Sequence, residues 1–184
     1  MALYSAQQMG MEVPPKTFEG AAKWINKVSC GRTKILCGYT GPSPKPAMSA
    51  EGAFSRILLG QKLSDAQQKE LAAYLEANKK ATSNNFYLAY YSSLAMMQIG
   101  GDTWRKWNPQ MRERLVALQT RGGSADGAWT TNTQYKRNAG IIYTTTMATL
   151  TLEVYYRYLP MLGAGESDDK SPAPKSPKPK SKKR

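Results

Sequence analysis

The chain contains no histidine among its 184 residues, and this absence excludes several kinds of active site. Without an imidazole, the most common general base is missing, and neither a Ser-His nor a Cys-His nucleophile pair can form. Most zinc sites are excluded as well, since they use histidine ligands. The sequence therefore assigns no catalytic residue, no metal site and no cofactor.

Cysteine is scarce too: Cys30 and Cys37 are the only two, seven positions apart. A small secreted scaffold held by disulfides carries more cysteines. We therefore expect two free thiols in a reducing compartment. The N-terminus also lacks a basic region followed by an apolar run, so no signal peptide is expected and the cytoplasm is the predicted location.

Long apolar runs are missing as well. The longest charge-free stretch lies between Lys80 and Asp102, and it contains asparagine, serine, glutamine and several tyrosines. This stretch is too polar for a lipid-exposed span, so we expect a helix buried within protein and no transmembrane segment.

Positive charge, by contrast, is plentiful and unevenly distributed. The formal net charge is +13, and residues 170–184 hold seven of the 26 lysines and arginines. Residues 163–184 contain no large apolar residue, so we expect a disordered basic tail after a folded domain of residues 1–162. The tail is expected to make weak electrostatic contact with an anionic membrane or nucleic acid. It has no aromatic residue for base stacking, so specific nucleic-acid recognition is not expected.

Hydrophobic periodicity predicts an all-α fold with two kinds of helix. One kind lacks a polar face and is rich in small, aromatic and hydroxyl residues; it covers residues 2–9, 47–59, 85–99 and 141–158. The other kind is amphipathic and charged; it covers residues 16–28, 64–78 and 103–119. A helix without a polar face should be surrounded by protein, so we expect inner helices paired with outer helices.

Glycines repeat at the ends of the predicted inner helices. Gly10, Gly60 and Gly100 each follow such a helix and precede an outer one, at separations of 50 and 40 residues. The position after a helix often needs a left-handed backbone, which glycine adopts readily. The recurrence indicates repeated helical hairpins.

Residues 112–129 carry a resemblance to a known family. They read Arg-Glu-Arg-Leu-Val-Ala-Leu-Gln, then Gly-Gly, then Asp-Gly-Ala-Trp, which resembles the glutamine–tryptophan repeat of squalene–hopene and oxidosqualene cyclases. The matching residues are Gln119, Gly127 and Trp129. Residues 21–39 are similar to a degraded copy that keeps Trp24 and Tyr39. We expect the aromatic residue after each glycine turn to be buried and to join one repeat to the next.

The resemblance to this prenyltransferase and squalene-cyclase superfamily implies an α/α toroid, with inner helices around a central cavity. Seven predicted helices are fewer than a closed ring needs, so the expected architecture is a partial toroid. The candidates for lining its cavity are polar and aromatic residues of the inner helices: Glu51, Tyr87, Tyr90, Tyr91, Tyr143, Thr144 and Glu153.

The enzymatic chemistries of the superfamily find little support in the residues. The nearest string to the acidic Asp-x-Asp-Asp motif of cyclases lies at residues 166–169, in the predicted tail. The zinc site of protein prenyltransferases needs histidine, and neither cysteine begins the Cys-Gly-Glu-Gln thioester motif. Glu51 and Glu153 form a possible carboxylate pair, but hydrogen bonding to nearby Tyr or Thr, or pairing with arginine, is the favoured role for both.

The sequence therefore favours a non-catalytic repeat module that binds another protein or a second copy of itself to complete the toroid. One alternative is a fragment of a terpenoid cyclase or prenyltransferase-like enzyme that acts on isoprenoid substrates. A second alternative is binding of an anionic membrane or nucleic acid through the tail.

Overall fold

A computed structural model of the chain describes residues 1–130 and 136–158. Within these residues there are seven α-helices: α1 (Ala2–Gln8), α2 (Pro15–Lys27), α3 (Pro46–Leu58), α4 (Asp65–Ala77), α5 (Phe86–Ile99), α6 (Gly101–Leu118) and α7 (Lys136–Tyr158). The mostly helical prediction is confirmed. The predicted tail, residues 163–184, and its boundary lie outside the described residues.

A short antiparallel hairpin interrupts the helices. It joins β1 (Ser29–Cys30) to β2 (Leu36–Cys37), and its register pairs Ser29 with Cys37 and Cys30 with Leu36. The sequence predicted an irregular loop here, because strands of two residues are too short to show an alternating pattern.

The helices form an inner row and an outer layer. In the inner row, α5 packs between α3 and α7. Outside it, α2 contacts α3, α4 contacts both α3 and α5, and α6 contacts both α5 and α7. The alternation of inner and outer helices along the chain produces this layering, because each helical hairpin places one helix in each layer.

The helix α5 is the centre of the core. Ten of its 14 residues are buried, among them Phe86 and Leu94. The outer helix α6 contributes a stripe of Trp107, Met111 and Leu115 to the same core. The indole of Trp107 donates a hydrogen bond of 3.0 Å to the hydroxyl of Ser93, so a polar group of α5 is satisfied inside the core. This burial explains why the charge-free stretch lacks a polar face.

The first helix does not follow this arrangement. None of the residues of α1 is buried against the described part of the chain. The prediction that every inner helix is surrounded by protein is therefore wrong for α1, whose side chains all keep contact with solvent. Its contact with the inner row includes the hydroxyl of Tyr91, which lies 3.6 Å from the sulfur of Met1.

The glycines at the helix ends have the predicted backbone conformation. Gly10, Gly60 and Gly100 have φ angles of 77°, 77° and 70°. At Gly60 the amide bonds back to Ile57 and the next amide bonds back to Arg56, which is the Schellman pattern of helix termination. The outer helix α4 then begins with a capping box between Ser64 and Gln67.

Candidate functional site

The main cavity of the described structure is a groove of about 600 Å³ that is open to solvent on one side. Its walls come from α1, α2, α3 and the segment that follows β2, and most of the lining side chains are apolar or aromatic. A volume of this size is ordinary for a small-molecule site. We call this cavity the α1–α3 groove.

A carboxylate and a phenol meet in the α1–α3 groove. Glu51 lies on α3 and Tyr87 on α5, and the Tyr87 hydroxyl donates a hydrogen bond of 2.8 Å to Oε2 of Glu51. Burial and the neighbouring Glu51 carboxylate raise the pKa of Tyr87. The phenol therefore stays protonated at neutral pH and keeps its role as donor.

The tyrosines of α5 are close together but differ in surroundings. The ring centroids of Tyr87 and Tyr91 are 4.6 Å apart, and those of Tyr90 and Tyr91 are 5.2 Å apart. Tyr87 lines the groove, whereas Tyr90 is buried in the core. Helical geometry separates Tyr90 from Tyr91 by about 100° around the axis, whereas Tyr87 and Tyr91, four positions apart, lie about 40° apart on one face.

The remaining cavity candidates lie on α7, away from the groove. Thr144 is buried, and its hydroxyl lies 2.5 Å from the carbonyl oxygen of Trp129. Tyr143 is partly buried against the core, and Glu153 is exposed. All seven candidates were expected to line one cavity. In the structure they do not. The inner helices pack directly against one another, so their side chains fill the space between them.

The glutamine–tryptophan segment forms a compact turn at the end of α6. The side-chain amide of Gln119 donates a hydrogen bond of 2.8 Å to the carbonyl of Gly127. The indole of Trp129 is buried and donates a hydrogen bond of 2.8 Å to the carbonyl of Leu115. Its backbone amide donates to the hydroxyl of Thr145 on α7. These bonds place Trp129 between the end of α6 and the next inner helix.

The corresponding aromatic residues near the N-terminus behave differently. Trp24 is 49% exposed and Tyr39 is 72% exposed, so the prediction that the aromatic residue after each glycine turn is buried is wrong for Tyr39. Both residues line the α1–α3 groove instead. The physical reason is the exposed position of α1, which leaves no packed inner helix for them to cover.

A buried arginine beneath the groove was missed by the sequence analysis. The guanidinium of Arg56 donates hydrogen bonds to Asn26, Gln61 and Ser29, at 3.0, 3.1 and 2.6 Å. Its Nε has no hydrogen-bond partner within the described residues. The sequence suggested an arginine as one possible partner of Glu51, but neutral oxygens surround Arg56. These partners come from α2, the segment after α3 and the hairpin, so periodicity alone gives no signal for them.

Ser29 also links this arginine to the groove. Its hydroxyl lies 3.9 Å from the sulfur of Cys37, a buried residue that lines the groove wall. Burial raises the pKa of the Cys37 thiol, which therefore stays neutral at physiological pH. Gly52 makes room for this sulfur, because a Cβ built there would lie 2.6 Å from it.

The described residues contain neither a three-residue metal-binding group nor a membrane-spanning helix. No group of three histidine, cysteine, aspartate or glutamate side chains there is arranged to hold a metal ion. None of the helices in that part of the chain has the length and apolar character needed to cross a membrane.

Comparison of the chain with protein-family models, with curated proteins and with solved structures finds no match.

Proposed function

We propose that this chain is a non-catalytic helical-repeat module, a partial α/α toroid that associates with a second copy of itself to extend its inner row. The distribution of exposed apolar side chains carries the proposal. In the described residues, the large exposed ones lie near the first helices or on α7, apart from Val116: Met1, Leu3, Met9, Met11, Trp24, Tyr39, Ile141, Ile142 and Tyr156. None of them lies on α3, α4 or α5.

These two groups mark the two ends of the helical array. Helix α7 has α5 on one side in the inner row, and the first helices lie at the opposite end, beyond α3. Exposed apolar surface at such ends is typical of an interaction site, because repeat proteins bury each face against the next repeat. A contact between α7 of one copy and the first helices of another would be head-to-tail.

The molar mass of the full-length chain in solution tests the proposal. Light scattering after size exclusion, over a series of protein concentrations, should give a mass that rises above that of one chain. Ile142 is 79% exposed, so Ile142→Asp should lower this mass without unfolding the protein. A single-chain mass at every concentration would contradict the proposal.

Val116 provides the matched control. It is 47% exposed and lies on the outer helix α6, outside the inner row. Val116→Asp introduces the same charge and should leave the mass unchanged. An equal effect of both substitutions would indicate general destabilisation and would count against an interface at α7.

One observation favours a second candidate, the cyclase-like or prenyltransferase-like enzyme. The side-chain carboxyl of Glu51 is held by Tyr87 within a mostly apolar groove, and in its protonated form it would be placed to donate a proton to an isoprenoid there. This candidate ranks second because the groove is open on one side, where water would reach a carbocation. Mass spectrometry of products after incubation with a linear isoprenoid tests it. A product that disappears with Glu51→Gln would support catalysis.

A further inference from the structure

We propose that the α1–α3 groove binds an organic cation with an apolar body, such as an alkylammonium, and that the cationic head contacts Glu51. This inference goes beyond the proposed self-association and does not depend on it. The two share the exposed residues Met1, Leu3, Trp24 and Tyr39, so a ligand and a second copy would compete for this face. Four features of the groove support it: its size, its charge, the position of Glu51 and its aromatic walls.

The charge of the lining is opposite to that of the chain. Glu51 is the only acidic side chain that lines the groove, and no lysine or arginine lines it in the described residues, although the chain has 26 of them. Two cations lie near the walls without lining the groove: Arg56 donates to Asn26, Gln61 and Ser29, and Lys27 lies over the ring of Trp24. The lining itself therefore contains one carboxylate and no basic side chain.

Tyr87 holds the Glu51 carboxylate in place but bonds to only one of its two oxygens. Tyr87 donates to Oε2 of Glu51, and no ion pair of Glu51 exists within residues 1–130 and 136–158. Within the same residues, no group donates a hydrogen bond to the Oε1 atom of Glu51, so a ligand ammonium can donate to it. A hydrogen bond between charged groups is stronger than one between neutral groups.

Aromatic residues form much of the wall around this position. Tyr4, Phe18, Trp24 and Tyr39 line the groove together with Tyr87. Aromatic faces attract cations as well as apolar groups, and the Nζ of Lys27 already lies 5.4 Å from the ring centroid of Trp24. Aliphatic side chains such as Ile25, Leu58 and Leu59 complete the wall and suit an alkyl chain.

Charge complementarity selects among ligands that would fit this space. An anionic amphiphile would be repelled by Glu51. A neutral apolar ligand would displace water from the carboxylate without replacing the lost hydrogen bonds, which is unfavourable. A cation with an apolar body satisfies the carboxylate and the walls together.

Titration calorimetry of the full-length protein at neutral pH, with three probes of equal chain length, tests the inference. The probes are n-octylammonium, n-octanol and n-octanoate, used below their aggregation concentrations. We expect n-octylammonium to bind at least about tenfold more tightly than n-octanol, and n-octanoate to bind most weakly. Similar affinities for n-octylammonium and n-octanol, or no binding of n-octylammonium, would overturn the inference.

Substitutions then locate the site. Glu51→Gln should weaken n-octylammonium binding about tenfold while n-octanol binding changes little. Glu153→Gln removes an exposed carboxylate of α7 outside the groove and should have no effect. Equal effects of the two variants would contradict a site at Glu51. Far-UV circular dichroism checks that each variant folds, and the three-probe comparison on the unchanged protein needs no variant.

The same titration on Ile142→Asp separates this inference from the proposed self-association. That substitution leaves every groove residue in place. Tight n-octylammonium binding by a single-chain species would support the groove whatever the outcome for association. Absence of binding in both proteins would reject the groove and leave the association proposal standing.

Discussion

The indole nitrogen of Trp129 donates a hydrogen bond of 2.8 Å to the backbone carbonyl of Leu115. Leu115 lies in the last turn of α6, where carbonyl groups have no partner within the helix. The amide of Gln119, which would reach this carbonyl in a longer helix, bonds to Val116 instead. Trp129 therefore satisfies a carbonyl at the end of α6 while it packs toward α7.

Replacement of Trp129 should accordingly destabilise the protein. We expect Trp129→Ala to lower the free energy of unfolding by about 3–5 kcal/mol, because a large buried side chain is lost. Trp129→Phe should cost about 1–3 kcal/mol, since it keeps most of the packing but leaves the Leu115 carbonyl without its donor. Chemical denaturation followed by circular dichroism measures both values.

Trp24 is the control for these substitutions, because it is 49% exposed. Trp24→Phe should change the free energy of unfolding by no more than about 0.5 kcal/mol. If Trp24→Phe lowered the free energy of unfolding as much as Trp129→Phe, the two aromatic residues would have equivalent roles, contrary to the structure.

A second prediction concerns the turn between β1 and β2, where Gly31 has a φ of 80°. A Cβ built at Gly31 would lie 2.5 Å from Oε1 of Glu70 and 3.0 Å from a side-chain carbon of Leu36. Gly31→Ala should therefore combine the strain of a left-handed alanine with a steric clash.

Gly60 separates these two contributions. It has a φ of 77° and no atom within 4 Å of an added Cβ. Gly60→Ala should cost about 1 kcal/mol from backbone strain alone, and Gly31→Ala at least about 1 kcal/mol more. Equal losses of stability for Gly31→Ala and Gly60→Ala, measured by thermal or chemical unfolding, would mean that the side chains of Glu70 and Leu36 adjust freely.

A third prediction follows from the hydrogen bonds that Glu70 accepts. The backbone amides of Arg32 and Thr33 each donate to its carboxylate at 2.7 Å. Burial would raise the pKa of Glu70, but the hydrogen bonds from Thr33 and Arg32, with the charge of Arg32, outweigh burial and lower it. The stabilisation requires the ionised form in the folded state.

The stability contributed by Glu70 should therefore depend on pH in one direction. It is complete above the unfolded pKa of a glutamate, about 4.3, and is lost as the pH falls through the lower folded value. Glu70→Gln should cost about 1 kcal/mol at neutral pH, and the difference from the unchanged protein should shrink in acid. Denaturation curves at a series of pH values measure it. Glu113→Gln, at an exposed site on α6, removes the same charge and is the control for the Glu70 substitution.

The residues involved show which features a sequence can predict. The structure contains the stripe of Trp107, Met111 and Leu115 and the cap at Ser64, and both depend on neighbours within a few positions, which a local sequence pattern can indicate. The turn held by Glu70 depends on a residue more than 30 positions away, so no local pattern reveals it.

The candidate site shows the same limit. Glu51 and Tyr87 could be selected as inner-helix residues, but their contact spans 36 positions and two helices. Trp24 and Tyr39 match a repeat pattern, yet their burial depends on whether another helix covers them. Because α1 is exposed, the same residue types that seal a repeat junction elsewhere become part of a groove.

The last prediction concerns the thiols of Cys30 and Cys37, which are 8% and 2% exposed. Burial raises the pKa of both, so little of either is thiolate at neutral pH, and thiolate is the reactive form. Both cysteines are free. In the hairpin, Cys37 pairs with Ser29, the neighbour of Cys30, so alternation along the strand directs the two thiols to opposite faces.

We therefore expect neither thiol of Cys30 and Cys37 to react quickly with a disulfide reagent in the folded protein. Both should react at once in denaturant, and the folded-state rate should rise with pH as the thiolate fraction grows. Mild oxidation of the folded protein should leave the intact mass unchanged, because a bond between the thiols would require the hairpin to break its register. Loss of two hydrogen masses without unfolding would show that the two strands exchange registers in the native state.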